Sequence, residues 1–159
     1  MEWEAAQWTA QEAVDAMLSM PYEPSRNFKT IWPSMWCEFA SIAIAEALRV
    51  RALGDWTFVQ AGRPGEASGH AWLEYPSDSG KVEYSIDATL HQFARYDEPY
   101  FGPGRTPAAA EFTTTNFKGA WRDWPALSFQ PLCYAFADAT LRQMGEFNQQ
   151  NSTPRLEPP

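Results

Sequence analysis

Two short runs of alternating character, His70-Ala-Trp-Leu-Glu-Tyr75 and Val82-Glu-Tyr-Ser-Ile-Asp87, are separated by Pro76-Ser-Asp-Ser-Gly80 and Lys81. Period-two runs joined by turn-forming residues are the signature of a β-hairpin, and a hairpin fixes which side chains share a face. With the strands paired symmetrically about the turn, Tyr75 faces Val82, Leu73 faces Tyr84 and Ala71 faces Ile86, giving one apolar face. The other face then carries His70 opposite Asp87, with Cβ atoms about 5 Å apart, close enough for a carboxylate to accept from an imidazole N–H. The same register sets Glu74 against Glu83, a like-charge pair costing about a few tenths of a kcal/mol.

Around this hairpin the pattern is mixed. Thr9-Ala-Gln-Glu12 reads as a capping box opening a first helix over about residues 10–20. Pro21 and Pro24 end it, and an apolar connector with Tyr22, Asn27, Phe28, Ile31 and Trp32 follows. Ser34 stands as an N-cap before Met35, Trp36, Cys37, Phe39, Ile42, Ile44 and Leu48, a helix apolar on most sides that ends near Gly54 and should be buried. Trp56 to Val59 and Glu111 to Phe117 read as further strands, and residues 62–69 as a loop. The prolines and glycines from Pro99 to Pro107 indicate a long surface loop. Pro131 starts a C-terminal helix to about Phe147, and the tail from residue 150 to 159 is expected to be disordered. A chain of 159 residues has room for one such core, so residues 1–149 are read as a single α+β domain: a central N-terminal helix on a small antiparallel sheet, with a C-terminal helix.

Charge narrows the partners. Twenty acidic and 12 basic side chains leave a net charge of −8, which repels nucleic acid and anionic membrane surfaces alike. No apolar run has the roughly 20 residues needed to span a bilayer. Acids among residues 1–20 stand where a signal peptide would be basic, so a cytoplasmic location is expected, with non-Sec delivery the other route. Two cysteines make no disulfide framework, and in a reducing compartment a reactive thiol becomes possible.

Cys37 falls in the first turn of its helix, where free N–H groups and the helix dipole favour a thiolate. An Asp87 that holds His70 in one tautomer leaves the far ring nitrogen free to meet that thiol. Read separately, Cys37 is a small core residue and His70 and Asp87 an ordinary strand pair. Together, Cys37-Glu-Phe-Ala-Ser, Gly69-His-Ala-Trp-Leu-Glu74 and Ile86-Asp-Ala-Thr89 resemble the transglutaminase-like superfamily of papain-fold cysteine enzymes over about residues 34–93. The resemblance implies Cys37 as nucleophile, His70 as general base and acid, and Asp87 as the orienting carboxylate. It also implies acyl transfer from a protein or peptide amide without a cofactor, by a protease, amidase, deamidase or cross-linking enzyme.

Two features depart from that pattern. Trp36 precedes the cysteine and Glu38 follows it, whereas family members often have Trp directly after. Adjacent helical residues diverge by about 100°, so Glu38 is expected to point away from the sulfur. The Cys37 backbone N–H is one oxyanion donor, with Asn27, Trp32 and Trp36 as candidates for another and Trp72 as a pocket candidate. His91 could replace His70 as base, or join Cys37, His70 and Asp87 around zinc, but their separations fit no short zinc signature and no metal is expected. Cys133 reads as a core residue. Hydrolysis is favoured over cross-linking, since nothing marks an amine-acceptor site. The reading from a different class is a non-catalytic interaction or anti-defence module that uses an aromatic loop over Tyr96 to Phe112.

Overall fold

The computed structural model describes residues 1–21, 29–125 and 130–145 of the chain. It is an α+β structure built on a five-stranded antiparallel sheet in the order β4-β3-β2-β1-β5. The strands are β1 (Thr57–Gly62), β2 (Gly69–Pro76), β3 (Val82–Asp87), β4 (Tyr100–Pro103) and β5 (Thr114–Gly119), and the long helices are α1 (Trp3–Ser19), α2 (Cys37–Val50) and α3 (Gln130–Gln143). Among the described residues no helix is long and apolar enough to cross a membrane.

The hairpin forms, but its register differs from the symmetric one. Leu73 pairs with Ile86, Glu74 with Ser85 and Tyr75 with Tyr84, with an irregularity between Tyr75 and Pro76. The turn closes between Ser77 and Lys81, with Gly80 at φ +77°, a conformation that glycine adopts without steric cost. That turn displaces the pairing by one residue, and the bulge displaces it by one more. A single step would have exchanged the two faces; two steps restore them. His70 and Asp87 therefore share a face as diagonal rather than direct neighbours, and Glu74 avoids Glu83 by pairing with Ser85.

The two faces of the sheet are covered differently. Phe58, Ala71, Leu73 and Ile86 meet the three long helices, where small residues such as Ala6, Ala10, Ala13, Ala40 and Ala47 let the backbones approach closely. On the other face Val59, Ala61 and Trp72 pack with Leu90, Ala108 and Phe112 from the segment that follows β3. That segment is more ordered than its prolines suggest. It contains a 3-10 turn over Leu90–Gln92, edge strand β4 and a second 3-10 turn over Pro107–Ala110, capped by the Thr106 hydroxyl with Pro at its start. The aromatic loop proposed as a partner surface is packed inward: Phe112 is buried, and Phe93, Tyr96 and Tyr100 lie partly buried against it.

Other boundaries also move. α1 begins at Trp3, whose ring stacks on Tyr84 at 4.3 Å, so Thr9 and Glu12 are not a capping box. Both face Arg51 at the end of α2: its Nη1 donates to Thr9 Oγ1 at 3.1 Å and pairs with the Glu12 carboxylate. β1 starts one residue and ends three residues later than its pattern suggests, and β5 starts three and ends two residues later. Pro131 does lie in the first turn of α3, which ends at Gln143 before Gly145. The expected tail over residues 150–159 lies outside the described residues.

Candidate active site

α2 begins at Cys37 itself, with Trp36 at the N-cap and no side-chain cap, rather than at Ser34. Cys37 is thus the first helical residue, and its N–H has no carbonyl within the helix to bond. Met35, two residues before Cys37, sits at φ +64°, a left-handed conformation that costs a non-glycine residue about 1–2 kcal/mol. It leaves the Met35 side chain 80% exposed beside the thiol.

Cys37 is buried, and its Sγ–H donates to Glu38 Oε2 at 2.9 Å. The expectation that Glu38 points away is wrong, because its long side chain folds back across the first turn. Burial and then the Glu38 carboxylate push the Cys37 thiol well above its ordinary value, against the smaller opposing effect of a backbone hydrogen bond from Ala71. The helix start therefore does not make a resting thiolate here.

His70 and Asp87 are both fully buried, and His70 Nε2 lies 2.9 Å from each Asp87 carboxylate oxygen. Thr106 Oγ1 donates to Asp87 Oδ2 at 2.9 Å. A carboxylate can only accept, so Nε2 carries the proton and Nδ1 the lone pair, the tautomer a base needs. That lone pair faces Gln92 Nε2 at 3.1 Å, and Gln92 also donates to Thr89 at 3.3 Å. The ring is held edge-on by Phe93 at 4.9 Å and flanked by Phe112 at 5.3 Å and Trp72 at 5.8 Å.

His70 and Asp87 are brought together as the sequence indicates. Cys37 and His70 are not hydrogen-bonded: the thiol goes to Glu38 and Nδ1 to Gln92. The two halves meet instead at a cavity of about 420 Å³, whose wall includes Cys37, Glu38, Gly69, Gln92 and Phe93. Gln92 and Phe93 both touch the His70 ring and line the cavity that holds the thiol. Cys133 reaches the same wall; burial, then Glu38, pushes it up to about 11.

The remaining candidates separate. Asn27 lies outside the described residues. Trp36 packs between Phe39 and Phe136, at 5.0 and 5.4 Å, in the helix-side core. Trp72 donates to Glu74 at 3.1 Å on the opposite face of the sheet, so it buttresses His70 and does not line the Cys37 cavity. Trp32 is partly buried and meets the edge of His91 at 6.1 Å. His91 does not take the place of His70, since the hydrogen bonds of Asp87 go to His70 and Thr106. Burial lowers its pKa, partly offset by the Asp87 charge, and its Nδ1 has no hydrogen-bond partner among the described residues. Among the described residues no group of three or more His, Cys, Asp or Glu side chains is arranged to hold a metal ion.

Thr106 and Gln92 are site residues that the sequence reading missed. Thr106-Pro107 carried a usable signal, the helix-start pairing of a hydroxyl with Pro; Gln92 carried none. Compared with protein-family models, with curated proteins and with solved structures, the chain matches none.

Proposed function

We propose that the chain is a thiol-dependent amide hydrolase, a cysteine protease, amidase or deamidase of transglutaminase-like kind, with Cys37 as nucleophile, His70 as general base and acid, and Asp87 as the orienting carboxylate. The observation that carries this reading is a fully buried imidazole–carboxylate pair in the basic tautomer, joined through Gln92 and Phe93 to the cavity that contains the thiol. A buried imidazole oriented by a carboxylate, itself held by a third group, is the arrangement that general-base catalysis uses.

In the proposed cycle, substrate entry displaces the Gln92 amide from Nδ1, and the Cys37 thiol gives its proton to that nitrogen. The sulfur attacks the amide carbonyl carbon, and the Cys37 N–H donates to the developing oxyanion. The C–N bond breaks as Nδ1–H passes its proton to the leaving amine, or to ammonia in deamidation. Water, deprotonated by His70, then cleaves the thioester, giving a carboxylic acid and restoring the thiol. Asp87 keeps the Nε2 proton throughout and stabilises the imidazolium.

A set of synthetic peptides offered together with hydroxylamine tests this. Acyl-thioester formation predicts hydroxamate products from the native protein and none from Cys37→Ala, with the melting temperature of the variant near that of the native chain. Equal product from both, or none from the native protein, overturns it. The raised thiol pKa favours the second reading, a non-catalytic interaction module on the same fold, and absence of product would support it.

A further inference from the structure

The cavity beside Cys37 has a chemical character of its own. Its polar wall contains one ionisable acid, Glu38, and its apolar wall includes Phe39, Phe93, Trp124 and Met35. Among the described residues no lysine or arginine is in the wall and no basic side chain pairs with Glu38. The molecule's other inward-facing glutamates are treated differently: Glu46 is met by Arg49 and Arg122, Glu74 by Lys118 and Arg105, and Glu111 by Arg63 and Arg95. Glu38 has the Cys37 thiol instead.

We propose that this cavity is a subsite for a cationic side chain of the substrate, a lysine ammonium or arginine guanidinium next to the amide that is cleaved, with Glu38 as its counter-ion. This rests on the reading of Cys37 as nucleophile. A carboxylate with no cation beside it among the described residues, set among aromatic faces, recognises both parts of such a group, since the faces attract the positive head and pack its methylene stem. The exposed Met35 at the rim is a flexible apolar contact for that stem. Binding has a second consequence. A cation that takes up the Glu38 carboxylate removes it from the thiol, and with it one of the influences that keep Cys37 protonated. The correct substrate therefore assists in activating its own nucleophile, and a neutral or acidic one does not.

Thiosulfonate labelling tests the subsite without any turnover. The native full-length protein and Glu38→Gln are treated with trimethylammonioethyl, sulfonatoethyl and uncharged methyl methanethiosulfonates, and modification of Cys37 and Cys133 is followed separately by peptide mass spectrometry. The methyl reagent normalises each protein for its intrinsic thiol reactivity and accessibility. For Cys37 in the native chain the cationic reagent should exceed the anionic one by about tenfold or more, and Glu38→Gln should reduce that ratio several-fold. An unchanged ratio in Glu38→Gln overturns the subsite, because the preference would then belong to the overall acidic surface. Hydroxamate formation with an unchanged ratio would reject the subsite alone; a Glu38-dependent ratio without hydroxamate would leave a cation site and reject the hydrolase.

Discussion

Glu46 and Asp87 are both carboxylates removed from water, and the molecule compensates them in opposite ways. Glu46, on α2, receives Trp121 Nε1 at 2.7 Å, Arg122 at 2.8 Å and Arg49 at 3.0 Å. Those guanidinium groups are permanently charged and about half exposed. Among the described residues Asp87 receives an imidazole and a hydroxyl, both buried. The first arrangement holds charge still and belongs to packing. The second leaves the compensating group able to gain or lose a proton, which fits the chemistry proposed for it.

The largest separation should appear in activity. If hydroxamate formation is confirmed, Asp87→Asn should lower it by about 10³-fold or more by upsetting the His70 tautomer, whereas Glu46→Gln should change it little. Stability should also distinguish the two. Asp87→Ala strands a buried imidazole N–H and the Thr106 hydroxyl and should cost about 3 kcal/mol in urea denaturation. Glu46→Ala should cost about 1–2 kcal/mol, since its arginines can turn to solvent and the Trp121 N–H is the main group left unpaired. Equal costs would break the comparison.

Thr106→Val sharpens it further. The change keeps the shape and removes the donor to Asp87, so a loss of about 1 kcal/mol is expected, with turnover reduced about tenfold through a looser carboxylate. The smallest effect concerns acid. Burial raises the pKa of Glu46, but hydrogen bonds from Arg49, Arg122 and Trp121 outweigh it and the net shift is downward from 4.5. A lowered folded-state pKa contributes stability above the unfolded value that is lost as pH falls through the folded one. Melting temperatures measured below about pH 4.5 should therefore fall less steeply for Glu46→Gln than for the native chain.

Much of the site was legible because strand faces depend on parity. The symmetric hairpin misplaced every pair, yet turn and bulge together moved the register by two residues, so His70 and Asp87 stayed on one face. The helix carrying Cys37 was legible from its apolar residues, but its start was not. Ser34 looks like a cap in sequence, while the chain turns through Met35 and begins the helix three residues later. Glu38 shows the limit of angular reasoning on a helix: a side chain with three rotatable bonds can reach back to a neighbour that its Cα vector avoids. Gln92 and Thr106 come from irregular backbone, where no period constrains which atom faces which, and β4 was concealed by its flanking prolines and glycines.

The central claim is that Cys37 and His70 act on one proton although Gln92 and Glu38 hold them apart at rest. Iodoacetamide alkylation of Cys37 at pH 7, followed by peptide mass spectrometry, tests this in the native protein, Glu38→Gln and Glu38→Gln/His70→Gln. Removing the carboxylate should accelerate alkylation about tenfold, and removing the imidazole as well should abolish that gain. Alkylation of the double variant as fast as that of Glu38→Gln would show that the imidazole never reaches the thiol, and would contradict the account.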